Sequence, residues 1–131
     1  MKSIAKVAVL GFIGAFCAIG SGAVAVAGSH TWDVWEVFSN ADGTVQFIEL
    51  KEAAASALEV GLGGHLMVAH ASGNTFTITH SVSSPTTSKS FLLATTAFAA
   101  LPGAPTPDDI IPANFIHFAT DTSVEYNPWD T

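Results

Sequence analysis

The stretch that decides the fold is Val34–Leu50, VWEVFSNADGTVQFIEL. Its first half belongs to an alternating run. Extended from Trp32 to Phe38, the chain puts Trp32, Val34, Glu36 and Phe38 on one face and Asp33, Trp35 and Val37 on the other. Period-two alternation rich in β-branched and aromatic residues predicts a strand. Ser39-Asn40-Ala41-Asp42-Gly43 is turn chemistry, because Asn and Asp side chains bond nearby backbone and Gly accepts positive φ. Thr44–Leu50 returns as a second strand, giving an antiparallel hairpin with a loop longer than the two-residue type. Pairing Phe38 with Val45 sets Glu36 opposite Phe47 and Val34 opposite Glu49. The two glutamates then lie diagonally on one face, within mutual reach.

Beyond the hairpin, short strand patterns alternate with turn signals. Lys51–Val60 is Ala-rich and reads as one or two helical turns or a loose connection, interrupted by Gly61, Gly63 and Gly64. Further strands are expected at His65–Ala69, Thr75–His80, Lys89–Thr95 and Val124–Tyr126. Phe91-Leu92-Leu93-Ala94 is apolar throughout, the pattern of a strand buried on both faces. Thr96–Leu101 suits a helical turn ended by Pro102-Gly103, and Ile110–Phe118 suits short extended pieces around Pro112. Many short strands with little helix predict an all-β domain, in its simplest form an immunoglobulin-like antiparallel β-sandwich.

The N-terminus has a different character. Lys2 and Lys6 precede an uncharged apolar run, Val7–Ala27, that ends in Ala25-Val26-Ala27. A basic start, an apolar centre and an A-x-A site predict a signal helix over 1–27, cleaved before Gly28. The run is also long enough to span a bilayer, so an uncleaved anchor is the competing reading. Cys17, the only cysteine, is preceded by Phe16 rather than a small residue, which argues against lipidation. The remaining domain, 28–131, has no cysteine and needs no disulfide framework. Loss of Lys2 and Lys6 leaves two basic and eleven acidic residues, a net charge of −9. Such a surface repels phosphate backbones and disfavours nucleic acid as a partner. Contact with a membrane is expected only through the signal segment, if it is retained.

Glu36–Leu50, containing SNADGTVQFIEL, resembles the opening of a group of uncharacterised exported bacterial proteins. Leu93-Ala94-Thr95, Phe98-Ala99, Pro107-Asp108 and Ile111-Pro112 to Phe115 resemble the second block of that group. More remotely, a glutamate-bearing first strand followed by a strand ending in Glu-Leu is similar to the start of lamin-tail domains, which are immunoglobulin-like sandwiches. Here Lys51-Glu52 follows that pair, where lamin-tail domains place an aromatic residue or Asn. The resemblance implies a β-sandwich and an exported, periplasmic or secreted location. It also implies a longer C-terminus than Val124-Glu125-Tyr126-Asn127-Pro128-Trp129 affords, hence a shortened chain. It carries over no catalytic residues.

Three constellations are candidates for chemistry. Glu36 and Glu49, with Asp42 at the loop end, could hold a hard cation such as Ca²⁺ through oxygen ligands. They could also form an acid/base pair, or accept loop backbone N–H groups in a purely structural role. The loop lacks the D-x-D-x-D spacing of an EF-hand. A four-residue turn at Ala71–Asn74 would pair Ala69 with Phe76 and His65 with His80. Two imidazoles need a further donor to hold zinc or copper. Trp32, Trp35 and Trp129 suit either a core or a carbohydrate or partner platform. No G-x-S-x-G, P-loop, dinucleotide fingerprint or H-E-x-x-H occurs. The expected function is therefore an exported, non-enzymatic module that binds or scaffolds a protein or surface partner, with no cofactor. A Ca²⁺-binding domain is the first alternative and a secreted hydrolase the second.

Overall fold

The computed structural model describes residues 28–129. The expected signal helix over 1–27 and Cys17 lie outside the described residues. Seven strands and one short helix follow in order: β1 Trp32–Ser39, β2 Gln46–Glu52, β3 Leu66–His70, β4 Thr75–Thr77, β5 Ser90–Ala94, α1 Thr96–Ala99, β6 Asp109–Ile110 and β7 Ser123–Asn127. They form a four-stranded sheet, β1-β2-β5-β6, and a three-stranded sheet, β4-β3-β7. One apolar core lies between them. Ile48, Leu50, Phe91 and Leu93 enter from the larger sheet, and Met67, Ala69, Val124 and Tyr126 from the smaller. The domain is all-β, in a sandwich-like arrangement of two layers. Among the described residues no helix is long and apolar enough to cross a membrane.

The parity of β2 shows how the pattern builds the layer. Gln46, Ile48, Leu50 and Glu52 are buried, while Phe47, Glu49 and Lys51 point to the outer face. Strand β5 follows suit. Phe91 and Leu93 are buried, and Leu92 is half-buried on the outer side rather than enclosed on both faces. One pair departs from the antiparallel expectation, since β6 runs parallel to β5, with Leu93 beside Asp109 and Ala94 beside Ile110. The segment between them turns back through α1, whose first turn is capped by the Thr95 hydroxyl accepting the Phe98 N–H. Residues 53–60 contain no helix. Ala55 there adopts a φ of 56°, outside the helical region.

Both sequence-derived registers are corrected. Phe38 pairs with Phe47, not Val45, and Glu36 pairs with Glu49 directly. The loop is longer than expected because Asn40 N–H bonds to Val45 O at 3.0 Å, and Asn40 Oδ1 accepts Val45 N–H at 3.0 Å. The ladder also slips between Val34 and Glu36, leaving Trp35 as an extra residue in β1. Such a bulge reverses the facing of everything beyond it. Trp32 and Val34 therefore face the core with Leu50 and Glu52, but Glu36 and Phe38 face outward with Glu49 and Phe47.

On the smaller sheet Met67 pairs with Phe76. The turn closes earlier than expected, with Ala69 N–H on Asn74 O at 2.9 Å. His65 consequently stands opposite Ile78, whose N–H it accepts at 2.9 Å, and the expected His65–His80 pair does not form.

Candidate binding surface

The outer face of the four-stranded sheet gathers the residues singled out in the hairpin. Phe38, Phe47 and Phe98 form a run of rings with centroids 5.7 and 5.2 Å apart. The bulge turns Trp35 onto the same side, where Lys51 Nζ lies 4.3 Å from its ring centroid. Trp35 is 60% and Phe38 44% exposed. Glu36 and Glu49 face each other across the ladder in this apolar setting. Among the described residues neither carboxylate has a hydrogen-bond or ion-pair partner. Like charges directly opposite each other on one sheet face are destabilising. Beside them opens a groove of about 420 Å³ lined by Glu36, Glu49, Phe47, Leu92, Phe98 and Asp108. Asp108 is already engaged, its Oδ2 accepting Leu92 N–H at 2.8 Å.

Asp42 does not join the two glutamates. It sits in the turn beyond the Ser39–Gln46 pair, and its Oδ1 accepts Thr44 N–H at 3.0 Å and Thr44 Oγ1–H at 2.6 Å. Those two bonds from Thr44 hold its carboxyl below the usual range. Among the described residues no group of three or more His, Cys, Asp or Glu side chains is placed to hold a metal ion.

The role considered for Glu36 and Glu49, a strand carboxylate collecting loop N–H groups, belongs instead to Glu52. It is 2% exposed at the inner end of β2. Its Oε1 accepts Thr31 Oγ1–H at 3.0 Å, Ala54 N–H at 2.9 Å and Ser56 N–H at 3.0 Å, while Oε2 accepts Ser88 N–H at 3.2 Å. Burial pushes its pKa up, but the donors from Ser56, Ser88, Thr31 and Ala54 together outweigh it and leave the pKa below the usual value. Comparison with family models, curated proteins and solved structures finds no match.

The histidines disperse into separate pairs. His70 Nε2 lies 2.6 Å from Glu125 Oε2, and His80 Nδ1 lies 2.7 Å from Asp109 Oδ1. Asp109 also accepts Thr79 N–H at 2.7 Å and the Thr79 hydroxyl, tying β6 to the segment after β4. His65 Nε2 meets Ser29 Oγ at 2.7 Å. The Ser29–His65 pair was invisible to motif reading because the residues lie 36 positions apart. Ser29 is only 7% exposed, and among the described residues no carboxylate hydrogen-bonds to His65. This is how a buried serine satisfies its hydroxyl, and it lacks the oriented base of a nucleophilic dyad. Of the three tryptophans, Trp32 is fully buried and donates Nε1–H to Glu59 O at 2.8 Å, whereas Trp35 and Trp129 are exposed.

Proposed function

We propose that this chain is an exported, non-enzymatic β-sandwich module that binds a partner through the outer face of its larger sheet. The observation that carries the reading is the pair Glu36–Glu49, opposed and unpartnered among exposed rings. That arrangement weakens the free domain slightly and gains if a positive group enters between the carboxylates. Trp35, Phe38 and Phe47 supply the rigid apolar contact area that anchors such interfaces. The partner we infer is a basic protein segment with apolar side chains, attracted by a domain whose net charge is −9 without Lys2 and Lys6. We further propose an immunoglobulin-like arrangement, supported by the order β1-β2-β5 in one layer against β4-β3-β7 in the other.

The test is calorimetric titration with a peptide alternating lysine and phenylalanine, at two salt concentrations. Binding should weaken at least about tenfold in the Glu36→Gln/Glu49→Gln double variant, equivalent to about 1.4 kcal/mol, and in Trp35→Ala. Equal affinity for all three proteins, or no binding at millimolar peptide, sinks the proposal. The direct opposition of Glu36 and Glu49 also favours a second reading, in which Ca²⁺ sits between them without Asp42. Under that reading millimolar Ca²⁺ raises the melting temperature of the native protein and not of the double variant.

A further inference from the structure

Glu59 is a buried acid without a fixed cation. Its side chain is 8% exposed. Its Oε2 accepts His30 N–H at 2.8 Å and lies 3.5 Å from His30 Nδ1, on a ring that is itself 60% exposed. The sequence has no arginine, and the two lysines among the described residues are engaged elsewhere. Lys51 lies over Trp35, and Lys89 Nζ donates to Ser83 O at 2.6 Å. Buried carboxylates ordinarily have a charged partner or a full set of donors. Glu52 meets that rule with four donors, whereas Glu59 has the His30 N–H alone, beside an exposed imidazole.

The residue packed against this carboxylate is Gly28. A Cβ built there would stand 2.5 Å from Glu59 Oε1 and 2.9 Å from Oε2. The carboxylate therefore lies against the Gly28 Cα, and the Gly28 nitrogen is one bond of about 1.46 Å from that carbon. Gly28 is also fixed from both sides, with its N–H on Leu58 O at 3.2 Å and its carbonyl accepting Gly61 N–H at 2.9 Å. Glu59 itself is held by its neighbours: its N–H donates to Thr86 Oγ1 at 3.0 Å, and its carbonyl accepts the Trp32 indole. Tyr126, whose hydroxyl donates to Ser29 O at 2.8 Å, completes the surroundings.

We propose that Glu59 is the receptor for a new α-ammonium group, created when the Ala27–Gly28 peptide bond is hydrolysed. In the uncut chain the Gly28 nitrogen is a neutral amide with one hydrogen. Water adds across the bond, Ala27 leaves as a carboxylate, and Gly28 keeps a primary amine that takes up a proton at neutral pH. The resulting cation forms one bond away from the carbon that Glu59 lies against, and a side chain at position 28 would crowd that carboxylate. Cleavage thereby locks the N-terminal segment onto the 58–61 loop, so the domain is more stable after export than before it. The inference rests on the export reading in placing the cut before Gly28.

The experiment has two stages. The full chain is expressed in a bacterium, and the exported product is sequenced from its N-terminus. A product that starts elsewhere, or no export, overturns the export reading and this proposal with it. The mature protein starting at Gly28 is then melted beside one carrying a single extra N-terminal alanine, which moves the ammonium by about 3.5 Å. Each is also made with Glu59→Gln. The extra alanine should lower the melting temperature by about 5 °C or more with Glu59 present, and by less than about 2 °C in the Glu59→Gln background. A product starting at Gly28 whose melting point is insensitive to the extension, or equally sensitive in both backgrounds, overturns the proposal and leaves the export reading standing.

Discussion

Glu52→Gln isolates the charge that closes the inner end of β2. The substitution keeps volume and the Oε1 acceptor, so Thr31, Ala54 and Ser56 retain a partner. It removes the formal charge and places an amide NH₂ where Ser88 N–H now finds Oε2. Hydrogen bonds to a charged group contribute about 1.5–3 kcal/mol each, against about 0.5–1.5 for neutral ones. Four weakened or lost bonds give roughly 4 kcal/mol, and relief from burying a charge offsets part of that. The expected loss is about 2–3 kcal/mol, or roughly 10–20 °C in melting temperature for a domain of this size. The folded-state pKa of Glu52 lies below its ordinary 4.5. Its contribution is thus present above that value and lost as pH falls through the folded pKa. Gln does not titrate, so the gap between the two proteins should narrow in acid. Urea unfolding at pH 7 and pH 3 reads both effects. A variant within about 0.5 kcal/mol of the native protein at pH 7, or a gap unchanged at pH 3, refutes the reasoning.

Three further substitutions probe the loop, the core and the outer face. Gly43→Ala should lose about 1–2 kcal/mol in urea unfolding, because Gly43 holds a φ of 71° and a Cβ there would overlap Asn114 Oδ1. Gln46→Ala should lose about 2–4 kcal/mol and speed hydrogen exchange at Ile116. The buried Gln46 amide accepts Ile116 N–H at 3.1 Å and donates to Ile116 O at 2.6 Å, and truncation strands both groups. Glu49→Gln should raise the stability of the free domain by about 0.2–1 kcal/mol by relieving the opposed charges, and a fall in melting temperature would show that Glu36 and Glu49 do not repel.

The hairpin was legible because alternation and turn chemistry are local signals, and β1 and β2 stand within a residue or two of their expected limits. Its facing was not. One extra residue at Trp35 moves Glu36 and Phe38 from the core side to the outer side, and no composition signal marks a bulge between Val34 and Glu36. The His65–His80 pair failed in the same way, since a turn closing at Asn74 shifts the ladder by two residues. Glu52 was within reach of the sequence: Gln46, Ile48, Leu50 and Glu52 share a parity, so an inward carboxylate was implied once Ile48 and Leu50 were assigned to the core. Its partners were not, because Ala54, Ser56 and Ser88 come from irregular loops whose paths no periodicity encodes. Ser29 with His65 and Asp109 with His80 are likewise products of tertiary packing across 36 and 29 positions.

A domain with eleven acidic side chains and two lysines cannot neutralise its carboxylates by ion pairing. It must satisfy them with neutral donors, and most of its inward acids are handled that way. Glu52 takes four donors; Asp109 takes the Thr79 and His80 backbone with both their side chains. Asp121 takes His117 N–H at 2.7 Å together with Ser72 N–H and its hydroxyl. For Asp109 and Asp121, burial raises the pKa, yet the donors outweigh it and leave both below the usual value. These acids hold loops to sheets, and removing them should unfold rather than disarm the protein. The exceptions are informative for the same reason. Glu36 and Glu49 lack donors on an exposed aromatic face, and Glu59 has one donor in a buried site beside Gly28. In a chain this poor in cations, these sparsely donated acids are the carboxylates open to the two positive groups proposed above, a basic partner segment at Glu36 and Glu49 and an α-ammonium at Glu59.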